Sequence, residues 1–590
     1  MVDAKGATEI IVGGLDEVKS RGVLVVAGPY CPIAVFHHNG RIYAVDNRCP
    51  HMGFPLHRGS VQEGLLTCPW HHARFDLSSG CTFDLWADDV PSFPVEIRNG
   101  TVVVVVPQRN LKAIQDHWLR RLRDGIEHQL DLVIAKAVIH LIASGADFRE
   151  IVRSGAELGL RLRDSWGSGM TILVAMAHLV PLLAPEWQMR ALYQGLSHIA
   201  GNIAGQPPRR ERQPLLGSSA SAEEIRHWLH HWTLVRHRDG AERSLLTALD
   251  RDWSPLEVTE LLFSAVSQRP FADGGHLWDF ANKGLELLDL IGWDLAPLVF
   301  SSLAAQLVSS RGGEERTDWR HPVDLIPLVR EAEAKLSPAL EEGAAKESHR
   351  LDLNHWLSIL LGEDPRAILD SLVEGVRSGI RPSDLSKTVA FAAAMRIARF
   401  GENNELGDWI TVLHTFSYCN AVHQTVKRFG EEVPASVFRG VLHGAIAVYL
   451  DRYLNVPPAP LPGERSSLDQ LPAQTDVLAK EILEACDRTG SDQMVARLAA
   501  RFLNVGGLPE DLIRILAECV LREDADFHTF QMLEAGLRQY HEWNSSDGLP
   551  LLLATARYVA AHAPTQRATE QTFKIAWRLH RGEALYESDE

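Results

Sequence analysis

Cys49-Pro-His51 and Cys68-Pro-Trp-His71 each set one thiol and one imidazole in a short segment. Two thiolates and two neutral imidazoles suit two kinds of centre. One is tetrahedral zinc. The other is a 2Fe-2S cluster in which one iron is held by sulfur and the other by nitrogen. Zinc modules usually bring two Cys from one place and two His from another, whereas here each segment mixes them. The mixing favours the cluster, because two facing loops can then clamp it, each giving one sulfur and one nitrogen. Pro50, Gly53 and Pro55 in the first segment and Pro69 in the second are the residues tight loops use, with Gly59 and Gly64 shaping the connection.

The text around the quartet is specific. Cys49-Pro-His-Met-Gly-Phe-Pro-Leu-His57 and Cys68-Pro-Trp-His-His-Ala-Arg-Phe-Asp-Leu77 closely resemble both cluster loops of the Rieske family. The resemblance implies one 2Fe-2S cluster per chain, with Cys49, His51, Cys68 and His71 as ligands. It also implies an electron donor, a ferredoxin or a reductase, as partner. High-potential respiratory members add a Cys to each loop for a disulfide staple; Phe54 and Trp70 stand near those places. Their potential-raising Ser is replaced by Ala73, and fewer hydrogen bonds to the cluster imply a lower potential. The chain therefore resembles the ferredoxin or oxygenase type. Arg74, Phe75, His57 and His72 are expected to shape and shield the loops.

The elements that must hold these loops are short strands. Val23 to Ala27, Ile33 to His37, Ile42 to Val45, Val95 to Ile97 and Val102 to Val106 are apolar or β-branched runs, with Asn39-Gly40 and Asn99-Gly100 as hairpin turns. An all-β domain over residues 1–108 is expected. From Leu111 the period changes to that of helices, and the rest reads as a large all-α region. His117-Trp-Leu recurs as His355-Trp-Leu, Gly195-Leu-Ser-His198 as Gly440-Val-Leu-His443, Trp253-Ser-Pro-Leu-Glu257 as Gly507-Leu-Pro-Glu-Asp511, and His276 as His528. Four such matches in one order predict a tandem duplication, 111–335 and 350–588, packed about a pseudo-twofold axis.

Histidines at equivalent places in the two halves are the remaining candidates: His117 with His355, His198 with His443, His276 with His528, and His178 with His423. As a set they are expected to converge on a polar cavity. His276, Asp279, Lys283 and Glu286 share one helix face, as do Asp524, His528 and Gln531. Such a stripe could bind a substrate or metal, or form an internal ion-pair network. His414 and His423 lie on one helical segment but, at about 100° per residue, on opposite faces. His414 with Tyr418, or Asn420 with His423, could form local acid/base pairs. The catalytic candidates are His414, His423, His276 and His528. Glu223, His227 and His231 form a weaker metal candidate on another helix.

With 76 Asp and Glu against 59 Lys and Arg, the net charge of -17 argues against nucleic acid or anionic membrane as partner. No apolar run reaches membrane-spanning length, and seven scattered cysteines suit a reducing, cytoplasmic setting. No Gly-rich strand-to-helix fingerprint supports NAD or flavin, and nothing in the sequence specifies a second metal. Ring-hydroxylating oxygenases pair a Rieske domain with an iron held by two His and a carboxylate. Their acidic-X-X-His-X4-His motif is absent, Glu224-Ile-Arg-His227 with His231 being the nearest approach. The helical region faintly resembles questin oxidase-like proteins, around His128 to His140 and Lys574 to Gly582, without a motif that carries residues across. The expected function is an oxidoreductase, oxidase or oxygenase in type. In it the cluster passes single electrons to a metal or small-molecule substrate in the duplicated helices. The alternative is a non-enzymatic electron-transfer or redox-sensing protein whose helices dock a partner.

Overall fold

The computed structural model describes residues 7–586 apart from 252, 402, 403, 455, 465, 544 and 545. The chain forms two compact units, one comprising residues up to Gly155 together with the segment from Ala568, the other Ala156–Arg567.

The first unit opens with ten strands: β1 Thr8–Gly14, β2 Val23–Ala27, β3 Pro32–His38, β4 Arg41–Asp46, β5 Ser60–Gln62, β6 Leu65–Thr67, β7 Arg74–Asp76, β8 Ser92–Phe93, β9 Val95–Arg98 and β10 Thr101–Val106. They make three antiparallel sheets, ordered β1-β10-β9, β2-β3-β4-β8 and β5-β6-β7. Asn39 and Gly40 (φ 49° and 75°) and Asn99 and Gly100 (50° and 77°) take the left-handed conformations that a two-residue hairpin needs. Glu63-Gly64 does the same between β5 and β6 without the Asn-Gly signature. The valine run of β10 buries Val102, Val104 and Val106 against Ile33, Val35 and Ala44. A second core under the ligand loops joins Phe36, Leu56, Leu66 and Phe75.

Compactness does not follow the expected boundaries. Beyond the short helix α1, Leu15–Arg21, helix α2, Leu111–Glu127, and helix α3, Asp131–Ala143, lie in the unit of the β domain, and so does the C-terminal helix Ala568–His580. The cause is apolar burial. Leu122 and Ile126 of α2 and Val133 to Leu141 of α3 are buried, and a Cβ on Gly125 would come within 3.0 Å of Ile134. The C-terminal helix buries Phe573 and Ala576 and packs on α3.

In the second unit, packing partners come in matching, exchanged sets. Helix Ser168–Leu179 pairs with Pro185–Ile203, as Leu406–Phe429 pairs with Ala435–Asp451. Helix His276–Ile291 packs on Leu406–Phe429, and Phe527–His541 packs on Ser168–Leu179. Helix Pro255–Val266 meets Ala435–Asp451, and Pro509–Leu521 meets Pro185–Ile203. Each contact in the earlier set has a counterpart in the later one. Among the described residues no helix is long and apolar enough to cross a membrane.

Candidate functional site

Both ligand loops are tight backbone reversals. The Cys49 amide donates to Phe54 O (2.8 Å) and the Gly53 amide to Cys49 O (2.7 Å). In the second loop Cys68 N donates to Ala73 O (2.9 Å) and His72 N to Cys68 O (3.0 Å). Gly53 (φ 78°) and His72 (φ 62°) supply the left-handed turns. The loops then face each other: the His51 and His71 rings lie 4.8 Å apart at 85°, and both thiols are buried. Contact with Cys49 lowers the Cys68 thiol to about 6, helped by the Trp70 and His71 amides, while the same contact raises Cys49. Burial, with the charges of Lys136 and His71, pushes His51 down to about 4, leaving the neutral imidazole that ligation needs. His51 Nδ1 is buried without a hydrogen-bond partner. An orphaned imidazole nitrogen and two buried thiols in contact, with a second imidazole alongside, fit the donor set of a 2Fe-2S cluster.

The loops carry no disulfide, and the Phe54 and Trp70 rings, 5.6 Å apart, occupy the places expected of the missing staple. Arg74 pairs with Asp84 (2.6 Å), Phe75 is core, and both His57 N and His57 Nδ1 donate to Asn47 Oδ1 (2.8 and 3.1 Å).

A family model described as "Rieske [2Fe-2S] domain" matches residues 9–94. The ferredoxin subunit of a 3-phenylpropionate/cinnamic acid dioxygenase from Photorhabdus laumondii is 31% identical over 104 residues, covering 17% of this chain and 97% of that protein. The chain belongs to the Rieske family. A further relative, human apoptosis-inducing factor 3, is 36% identical over 75 residues, and the match spans only 12% of that protein's length. Among solved structures, the ferredoxin of carbazole 1,9a-dioxygenase from Nocardioides aromaticivorans is similar to 17% of this chain and 99% of its own. The identity is 25% and the TM-score 0.16.

Around the Rieske cluster loops stand residues that the sequence reading did not select. Trp86 packs edge-on to His51, 4.7 Å between centroids. Arg121 of α2 donates to Leu85 O (2.7 Å) and Ala87 O (2.6 Å) and pairs with Asp88 (3.1 Å), which His117 Nε2 also meets (3.1 Å). Lys136 of α3 reaches the first ligand loop, donating to Pro50 O (2.7 Å) and His51 O. Tyr586 lies against Phe54 and Trp70. The only earlier hint was His117, singled out for its recurrence.

In the helical unit, three of the four catalytic candidates meet. His276 opens helix His276–Ile291, His528 stands in the first turn of Phe527–His541, and His414 projects from Leu406–Phe429. His414 Nε2 and His528 Nε2 are 2.9 Å apart, and one nitrogen from each of the three lies within 4.8 Å of the others. Adjacent ligands on one metal need about 3 Å between nitrogens, given metal–nitrogen bonds of about 2.1 Å. Burial and the neighbouring imidazoles push His276 to about 4 and His414 to about 2, so both are neutral near pH 7. Asp526 Oδ2 lies 3.4 Å from His528 Nδ1, the carboxylate pairing that orients a ligating imidazole. The turn before His276 holds Phe271 (φ 47°), Asp273 (56°), Gly274 (65°) and Gly275 (96°), a strained run that aims the histidine.

His423 lies apart from these three. It is buried on the opposite face of its helix, its Nδ1 2.9 Å from Ser386 Oγ and its Nε2 3.7 Å from Glu542, and it does not join the other three. The recurring histidines do not converge as a set either: His443 pairs with Glu333 (2.7 Å) and His355 is exposed. Glu224, beside the weaker candidate Glu223, His227 and His231, is used in a capping box with Ser221.

The charged stripes form the seam between the two helices. Asp279 contacts Gln531 and Glu286 contacts Arg538, each pair 252 residues apart, the same separation as His276 and His528. Lys283 Nζ sits between Glu286 Oε2 (2.9 Å) and Glu534 Oε1 (2.8 Å), and His178 Nδ1 lies 2.8 Å from the same Glu534 oxygen. His178, Glu286 and Glu534 have metal-like geometry, but the Lys283 ammonium already fills the cation's place. Burial pushes Asp279 up to about 7. Glu534 is held near 2 against burial by Lys283, Arg538 and His178. At this end of the seam a pocket of about 390 Å³ opens between His178, Gln424, Lys427 and Arg538.

Proposed function

We propose that the protein is an oxidoreductase in which the Rieske domain feeds single electrons to a metal ion held by His276, His414 and His528. A 2Fe-2S cluster between Cys49, Cys68, His51 and His71 supplies one electron at a time at a potential set by its hydrogen bonds and burial. The convergence of three imidazoles from three separate helices carries the reading, since stability alone gives no reason to gather them. A three-histidine face leaves coordination positions open, as oxygen-activating iron sites do. The reading is therefore of oxidase or oxygenase type, iron being the first metal to test.

An external ferredoxin or reductase is the proposed donor, and the free thiols of Cys31, Cys81, Cys419, Cys486 and Cys519 support a reducing, cytoplasmic setting. The exchanged helix pairs support a tandem duplication as the origin of the helical region. The second reading, a non-enzymatic electron carrier, is favoured by the ferredoxin subunits among the relatives. Metal analysis of anaerobically purified protein separates the two. Three irons per chain, or two irons and one other transition metal, with the third lost in His414→Ala, support the first. Two irons and no other metal refute it.

A further inference from the structure

Lys136 is a buried ammonium, and among the described residues no carboxylate comes within salt-bridge distance of it; its two hydrogen bonds go to the carbonyls of Pro50 and His51. Asp88, the nearby anion, is already paired with Arg121 and His117. A buried cation without a paired anion favours whichever neighbouring state carries the more negative charge. We propose that Lys136 sets the potential of the Rieske cluster, offsetting the lowering that follows from the absent staple and serine. This rests on the Rieske assignment of the quartet.

In the oxidised cluster two ferric ions are balanced by two sulfides and two thiolates, with both imidazoles neutral. One electron from the donor converts one ferric ion to ferrous and leaves one net negative charge. A fixed ammonium behind His51 stabilises that reduced state over the oxidised one. Its hydrogen bonds to the Pro50 and His51 carbonyls also draw electron density from the ligand loop. A unit charge about 10 Å away, at an effective dielectric of about 20, changes an equilibrium by roughly tenfold. Lys136 acts through the loop and the field, so it is a positioning and tuning residue that touches no substrate.

The test is redox titration of the full-length holoprotein, followed by the EPR signal of the reduced cluster. The variants are Lys136→Met, Lys136→Gln, which keeps a donor without the charge, and Lys136→Arg, which keeps the charge. At the ambient potential that half-reduces wild type, Met and Gln are expected to lower the reduced-to-oxidised ratio about tenfold, a 59 mV shift for one electron. Arg should stay within about threefold, by the same conversion. Met and Gln titrating with wild type, their spectra intact, overturn the inference. So does Arg falling as far as Met, or loss of the cluster in all three variants. Wild type without a Rieske spectrum would instead refute the cluster itself, so the two failures are distinct.

Discussion

Replacing Lys283 by Met tests how the seam between helices His276–Ile291 and Phe527–His541 is held. Lys283 and Arg538 are its cations, Glu286 and Glu534 its anions, so the four charges balance. Lys283→Met keeps the stem's volume and leaves one negative charge unbalanced in a buried place. Removing one partner of a buried pair costs about 3–5 kcal/mol. The lower end applies, because Arg538 remains 3.1 Å from Glu534 and in contact with Glu286. With an unfolding entropy near 2.1 cal/mol/K per residue over roughly 400 residues, about 3 kcal/mol lowers Tm by about 3–4 °C. Calorimetry at pH 7, with cluster absorbance recorded on the same sample, separates this loss from the first unit's transition. Adding Glu534→Gln rebalances the site, and the double variant should regain at least half the loss. A cost of Lys283→Met below about 1 kcal/mol, or a double variant as unstable as the sum of the singles, would refute the balanced-quartet account.

Asp279→Asn should change the pH dependence. The Asp279 carboxyl, pushed by burial from 3.8 to about 7, holds its proton more tightly folded than unfolded. Its contribution is full below pH 3.8 and is lost as pH rises to about 7, so Asn should flatten the stability profile across that window in urea melts. Gly275→Ala places a Cβ 2.9 Å from Tyr418 at a φ of 96°, and should displace His276 and lower third-metal occupancy in metal analysis while the cluster spectrum stays. Cys68→Ser should abolish the Rieske EPR signal and leave two fewer irons per chain, with the far-ultraviolet helical signal unchanged.

The cluster quartet was legible because ligand identity and loop chemistry are both local, and the Asn-Gly hairpins for the same reason. Helical periodicity foresaw that His414 and His423 face apart, and internal repetition singled out His276 and His528. Which of the former joins the latter depends on how three helices pack, and no spacing along the chain encodes that. Lys136 was hidden differently. It lies in an apolar helix far from the loops it touches, and reads as an ordinary helical lysine until α3 is folded against Pro50 and His51. That the compact unit reaches past 108 was hidden for a related reason: α2 and α3 carry apolar faces that could bury against helices or strands, and sequence does not say which.

Because the helix Ala568–His580 packs on α3, the 412-residue stretch Ala156–Arg567 interrupts a single unit built from both sides of it. During synthesis the strands and ligand loops emerge first, yet the helix that completes their unit emerges only after the whole intervening stretch. For that interval α3 carries an uncovered apolar stripe, which makes the nascent chain a client for chaperones. The late arrival also leaves the Phe54–Trp70 side of the loops uncovered by Tyr586. That side of the loops gains its aromatic cover only when the last segment of the unit has been made.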